Sequence, residues 1–364
     1  MKRIGIVSRI HGVNYGANLQ AIALQAALTK FGVHAEYINK KVDIPLKGIQ
    51  KIKSNVYGFI RLLLGYRKRL NNTSVFQFKY LNCSNPINNE ADLNVLIESY
   101  DVLLSGSDQI WNPRYLPLSK DFYLLPFHSE KPHYSYASSF GVKAISNELR
   151  EKYYESLKKF KTVSVREKTG QHILSKMGIT ARVDIDPTLL LSGDEWYNYF
   201  DKQAVVPEKY ICCYVMNGAS ELNNYLIRQA ELLQKQMENN PKIVVLGDKE
   251  YRGWFSKHTY IPTAGPAEFL NILYNSSFVL TSSFHGTCFA VIFKKNFYSV
   301  LEEKNKFNSR IIDMLNLLQL GDRVLYKEHE NTVVNDVVDY TLPYSNLNKY
   351  RTNSLEYVKE IACL

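Results

Sequence analysis

Eight short β-rich runs punctuate this chain, at residues 4–10, 101–105, 133–138, 162–166, 210–216, 242–246, 278–281 and 297–301. Helical patterns fill the gaps, among them 19–31, 147–160, 220–239 and 267–275. Strands that alternate with helices build βαβ units, because a parallel neighbour is reached only by a long crossover. The pattern therefore predicts an α/β chain with mostly parallel sheets. At 364 residues the chain exceeds one ordinary core, which points to two domains. Ser192-Gly193-Asp194 and Pro207 interrupt the pattern near 191–209 and mark the boundary. The expected layout is a first domain over 1–191 and a second over 205–338, with 339–364 packing back on the first. Both domains are expected to be Rossmann-like and to face each other across a central cleft.

Composition narrows the class. Hydrophobic residues make up 45% of the chain, as in globular enzymes, and no low-complexity tract is present. The five cysteines form no CxxC pair, which argues against a zinc ribbon or a disulfide framework and for a reducing, cytoplasmic setting. Met1-Lys2-Arg3-Ile4-Gly5-Ile6-Val7 enters a strand at once, and its apolar part is too short for a signal sequence. The net charge of +10 is concentrated. Between Lys40 and Arg69 nine Lys or Arg stand against one acid, Asp43. Ile49, Ile52, Val56, Phe59, Ile60 and Leu63 recur there at helical spacing, with Lys51, Lys53 and Arg61 between them. Such a basic amphipathic insertion, 40–69, suits either peripheral contact with the inner membrane face or packing on its own domain with a solvated basic side. No nucleic-acid motif accompanies the charge.

Polar and glycine-rich clusters follow the apolar runs. Gly12-Val13-Asn14-Tyr15-Gly16-Ala17-Asn18 follows the first, and Gly106-Ser107-Asp108-Gln109-Ile110-Trp111-Asn112-Pro113 the second. Ser138-Ser139-Phe140-Gly141 and Arg166-Glu167 close the next two. Ser282-Ser283-Phe284-His285-Gly286 follows the run at 278–281 and opens a helix-like segment. Open α/β sheets bind ligands at the carboxyl ends of their strands, and unpaired helix amides there accept an anion. His285 in that position is either a proton carrier or a packed histidine. Asp108 and Gln109 can meet a sugar hydroxyl, with Trp111 as a stacking face or as a buried turn residue. Arg166 suits phosphate or carboxylate recognition, or an ion pair with an acid such as Glu167. There is no GxGxxG after the first strand, no P-loop and no GxSxG elbow. Asp184-Ile185-Asp186 has the DxD form of metal-dependent glycosyltransferases, but the following Pro187-Thr188 reads as a loop turn. No cluster has metal-ligand spacing, so no cofactor is expected, though a divalent metal stays open.

Taken together, these residues resemble the polysaccharide pyruvyl transferase family. The likeness runs from Asn14–Asn18 through Gly106–Trp111, Ser164–Glu167 and Asp184–Thr188 to Ser282–Gly286 and Asn308-Ser309-Arg310. It implies a GT-B-like fold and transfer of pyruvate from phosphoenolpyruvate onto two hydroxyls of a saccharide acceptor, a surface-glycan precursor; the basic window 40–69 fits an acceptor carried on a lipid. The product is a cyclic ketal. The resemblance assigns His285 as the essential histidine and Arg166 as a donor ligand. Ser282, Ser283, Gly286 and Arg310 are expected around the donor. Asn14, Tyr15, Asn18, Gln109 and Trp111 are expected around the acceptor, with Asp108 as a partner base. At one place the chain departs from the pattern: many members carry an arginine two residues before the histidine, where Ser283 stands here. Arg310, Lys249 or the helix amides must then carry that anion. Two other classes fit the same architecture, a nucleotide-sugar glycosyltransferase and a non-catalytic glycan-binding assembly protein.

Overall fold

The fold is a pair of six-stranded parallel sheets. The computed structural model describes residues 1–40, 65–116, 121–127, 129–216, 220–247, 258–303, 308–329 and 332–363. The first sheet comprises β1 (Arg3–Val7), β2 (His34–Tyr37), β3 (Val102–Ser105), β4 (His133–Ser135), β5 (Phe160–Val165) and β6 (Ala181–Val183), in the order β2-β1-β3-β4-β5-β6. The second comprises β7 (Tyr210–Val215), β8 (Lys242–Gly247), β9 (Thr259–Tyr260), β10 (Phe278–Thr281), β11 (Asn296–Leu301) and β12 (Val324–Tyr326), in the order β12-β11-β10-β7-β8-β9. Among the described residues every strand pair is parallel. Central strands such as β3, β7 and β10 are buried along their whole length, which is why they read as continuous apolar runs.

Two compact units result. The first holds Met1–Lys47, Gln77–Leu191 and Asn348–Leu364, and the second holds Gly48–Phe76 and Ser192–Leu347. The carboxyl-terminal helix anchors in the first unit through specific bonds. Ser354 Oγ donates to Asp184 Oδ1 at 2.9 Å, Tyr357 Oη donates to the Ser135 carbonyl at 2.9 Å, and the Arg182 guanidinium lies 4.0 Å from the centre of the Tyr357 ring. Most of the basic insertion, and with it the amphipathic pattern 49–63, lies outside the described residues, as does Lys249. Its final described residues open a helix, Tyr66–Tyr80, and cluster with the second unit rather than the first. Arg69 on that helix points inward and donates to the Gly247 carbonyl at 3.3 Å.

Two helices set up the functional loops. Helix α1 (Tyr15–Thr29) follows β1, and twelve of its fifteen residues are buried. The helix Phe284–Ile292 follows β10, and all nine of its residues are buried. A helix apolar all round packs on every side, which immobilises the turn at its amino end.

Candidate functional site

The strand orders locate a crevice in each sheet. In the second sheet the chain moves from β7 to β8 on one side and from β10 to β11 on the other, so β7 and β10 flank a topological switch point. In the first sheet β1 and β3 do the same. Ligands of open α/β sheets bind at such points.

At the second unit's switch point, β10 ends in Thr281. Its Oγ1 donates to the Tyr214 carbonyl at 3.1 Å and accepts from the Ser283 amide at 3.1 Å. These bonds fix the turn. Ser283 caps the helix, accepting from the Gly286 amide at 3.4 Å, while Thr287 Oγ1 donates to the Ser283 carbonyl at 3.0 Å. Thr287 Oγ1 also meets Ser299 Oγ on β11 at 2.8 Å. Gly286 serves packing: a Cβ there would lie 2.4 Å from Thr281 Oγ1 and 2.9 Å from Tyr214 Cδ1. Only a glycine lets the helix sit this close to the strands.

His285 therefore occupies the first turn of a rigid helix, buried, with its ring 5.2 Å from that of Phe284 in an edge-on contact. The Arg310 guanidinium lies 5.5 Å from the Phe284 ring centre. The turn thus gathers His285, Ser282, Ser283 and Arg310 within one unit, and Arg310 brings a cation that Ser283 does not carry. Ser282 Oγ and Asn223 Oδ1 are buried and have no hydrogen-bond partner among the described residues. Asn223, unremarked in the sequence, belongs to the helix after β7 and donates from Nδ2 to the Met216 carbonyl at 2.7 Å. The turn after β10 and the helix after β7 each hold one such group.

The first unit's switch point is tied by Ser8 Oγ, which donates to the Ser107 carbonyl at 2.9 Å. Asp108 adopts φ 76°, a left-handed conformation uncommon outside glycine and concentrated at functional turns. Its carbonyl accepts from the Ser139 amide at 2.9 Å. Gln109 lies over Gly141 and accepts from Asn112 Nδ2 at 3.1 Å. Arg9, which the expected strand 4–10 concealed, emerges just past β1 with its guanidinium 4.6 Å above the Tyr115 ring. Burial opposes its charge, but Asp108 and the Tyr115 and Tyr123 hydroxyls outweigh that and raise its pKa.

Several expected ligands have other work. Trp111 is 0% exposed, donates from Nε1 to the Tyr123 carbonyl at 3.1 Å, and meets Phe140 and Phe160 edge-on. It offers no face to a sugar. Tyr15 is likewise fully buried. Asn14 is exposed and caps α1 through the Ala17 amide at 3.1 Å. Asn18 is buried, donating to the Gly12 and Asn14 carbonyls at 3.2 and 2.7 Å and accepting from Gln77. It braces the loop from beneath.

Arg166 is paired, though not with Glu167. Its Nη1 lies 2.5 Å from Asp186 Oδ2, with side chains 2% and 0% exposed. Burial disfavours the guanidinium charge, but Asp186, Glu167 and Asp108 outweigh it and its pKa rises. Asp186 thus balances the charge of the Arg166 guanidinium inside the fold. Asp186 Oδ1 also accepts from the Thr188 amide and hydroxyl at 3.0 and 2.7 Å. Asp184 accepts from Ser164, Arg182 and Ser354. The two carboxylates of the DxD triplet are thus committed to the fold. Glu167 Oε1 accepts from Ser139 Oγ and from the Phe140 and Gly141 amides, at 2.9, 3.1 and 3.3 Å, shaping the turn after β4.

A family model described as polysaccharide pyruvyl transferase matches residues 14–304. The chain belongs to the polysaccharide pyruvyl transferase family. That span includes both switch-point turns but not Arg310. Comparison with curated protein sequences matches none of them. Among solved structures, a UDP complex of MnaA from S. aureus is similar at 13% identity, covering 99% of this chain and 91% of that one, with a TM-score of 0.53. UDP-GlcNAc 2-epimerase from Neisseria meningitidis, bound to UDP-GlcNAc, is similar at 11% identity, covering 100% and 94%, with a TM-score of 0.50. These likenesses establish the fold, the GT-B type shared with UDP-sugar epimerases.

Proposed function

We propose that the protein transfers the pyruvyl group of phosphoenolpyruvate to two hydroxyls of a sugar in a surface-polysaccharide precursor. The observation that carries this reading is the turn at 282–286. It combines a histidine on an immobile helix start, an unbonded serine hydroxyl and the nearby Arg310. The helix amides and Arg310 would hold the donor's phosphate and carboxylate. His285 would then deliver a proton to carbon 3 of the enol, making carbon 2 electrophilic. The first sugar hydroxyl adds to carbon 2 as its proton passes to a base, and phosphate leaves with the C–O bonding pair. The second hydroxyl closes the ketal and loses its own proton. Proton transfer of this kind contributes about 10²–10⁴-fold.

The first unit is assigned the acceptor. Asp108, held in its strained turn, would act as base on the sugar hydroxyl, with Asn14, Gln109 and Arg9 nearby in the sequence of loops that close β1 and β3. Arg166 is assigned a positioning role. The chemistry requires no resident cofactor beyond the donor substrate.

The test is incubation with phosphoenolpyruvate and a panel of lipid-linked or aryl glycosides. The expected product is an acceptor carrying one pyruvate ketal by mass spectrometry, together with free phosphate. A His285→Ala variant that folds and keeps near wild-type turnover would overturn the mechanism. A second reading, transfer from a nucleotide sugar, draws on the UDP named with both similar structures. It predicts release of UDP from a UDP-sugar and no phosphate release from phosphoenolpyruvate.

A further inference from the structure

The helix Tyr66–Tyr80 presents a face that its own packing does not explain. Phe78 is 93% exposed, Val75 58% and Leu70 42%. Arg67, Lys68, Asn71, Ser74 and Lys79 are exposed as well. At about 100° of turn per residue, Phe78 lies at the centre of this face, with Arg67 and Asn71 within about 20° of it. Every other exposed residue falls within about 100° of Phe78, and the buried Arg69, Thr73 and Phe76 at least about 140° away. The division between inner and outer faces is therefore clean. An almost wholly exposed phenylalanine sits on the outer one, flanked by two aliphatic side chains and ringed by three cations.

Charge selects the occupant. No Asp or Glu occurs between Asp43 and Glu90, a stretch that holds seven Lys or Arg up to and including Arg69 and Lys79 beyond it. A partner for this face must be anionic, and it must also accept aliphatic side chains. Nucleic acid would use the cations and could stack on Phe78, but it has no use for Leu70 and Val75. A bilayer surface uses all of them: headgroup phosphates meet the cations while Phe78, Val75 and Leu70 enter the acyl boundary. We propose that this helix face docks the protein on an anionic phospholipid surface, lying in the interface rather than crossing it. No helix among the described residues is long and apolar enough to cross a membrane. The proposal does not depend on the reaction assigned above.

The experiment is co-sedimentation of the whole protein with vesicles of phosphatidylglycerol and phosphatidylcholine in equal parts, beside vesicles of phosphatidylcholine alone. The protein should pellet with the first and not the second, and added salt should release it. Each of Arg67→Ser, Lys68→Ser and Lys79→Ser should weaken binding about fivefold. Phe78→Ser should weaken it about tenfold or more. All four side chains are exposed, so unchanged melting temperatures should accompany these losses. A Phe78→Trp variant supplies a direct reading, its emission moving to shorter wavelength on the anionic vesicles. Equal pelleting with both vesicle types, four serine variants that bind like wild type, or an emission from the Phe78→Trp variant that does not shift would each overturn the proposal. So would a dimer in the absence of lipid that Phe78→Ser converts to a monomer, since a second copy would then be the occupant.

Discussion

Replacing Arg166 by methionine separates a structural cation from a donor ligand. The change leaves the Asp186 carboxylate at 0% exposure without its cation, held by the neutral Thr188 amide and hydroxyl. Breaking a buried ion pair from one side costs about 3–5 kcal/mol, because the surviving charge stays desolvated. The two Thr188 bonds offset part of that, which places the expected loss at the lower end, about 3 kcal/mol. For a folding unit of this size, each kcal/mol moves the melting temperature by about 2–4 °C, so Arg166→Met should lower it by about 6–12 °C. Adding Asp186→Asn removes the stranded charge and keeps an acceptor for the Thr188 amide. The double variant should therefore regain roughly half of the loss, a positive coupling that the single changes would not produce if they acted independently. The assays are scanning calorimetry on the four proteins of this cycle and the KM for phosphoenolpyruvate at a temperature where all are folded. A melting temperature within a degree of wild type, together with a large rise in KM, would refute the structural assignment and restore Arg166 as a ligand.

Three further outcomes are expected. Arg310→Ala should raise the KM for phosphoenolpyruvate about tenfold or more, by loss of a charge-assisted bond of about 1.5–3 kcal/mol, with melting temperature little changed and Arg310→Lys intermediate. Gly286→Ala should destabilise by about 1–3 kcal/mol, because its methyl group meets Thr281 and Tyr214, and should displace the histidine enough to lower turnover as well. His133 is buried, its Nε2 lacks a hydrogen-bond partner among the described residues, and burial followed by the nearby Lys159 lowers its pKa. The unfolded chain therefore takes up a proton below its ordinary 6.5 before the folded one does, so stability falls as pH drops from 6.5 towards the lowered value. His133→Phe should flatten that part of the melting-temperature profile.

What the sequence revealed of the fold divides along the sheets. All eight expected strands exist, with ends shifted by a few residues. The four that went unread are β2, β6, β9 and β12, the edges of both sheets. An edge strand has one neighbour in its sheet, so His34–Tyr37 or Thr259–Tyr260 can be short and mixed in polarity and leaves no apolar run. The turn at 282–286 was legible because an abrupt change from apolar to small polar residues marks a strand end wherever it occurs. Arg9 was not, because Ser8 and Arg9 are followed by Ile10 and the apolar run looked longer than β1 is. Trp111 and Tyr15 misled for a related reason. An aromatic beside a turn carries no local sign of the direction in which it points, and that direction is decided by Phe140, Phe160 and other partners distant in the chain. The Arg166–Asp186 pair joins residues twenty apart, and no spacing rule relates the end of one parallel strand to the loop after the next.

The chain passes between its two units four times, and this fixes an order of assembly. The first unit contains β1, yet it also includes residues 348–364, which follow the second unit's main segment. Ser354 and Tyr357 hold Asp184 and the Ser135 carbonyl, so the β4–β6 side of the first sheet stays incomplete until residues 348–364 have been made. Domains usually fold in turn as they leave the ribosome, the amino-terminal one first. Here the first unit is the one that must wait, and a chain lacking residues 348–364 would leave a finished second unit attached to an unfinished first.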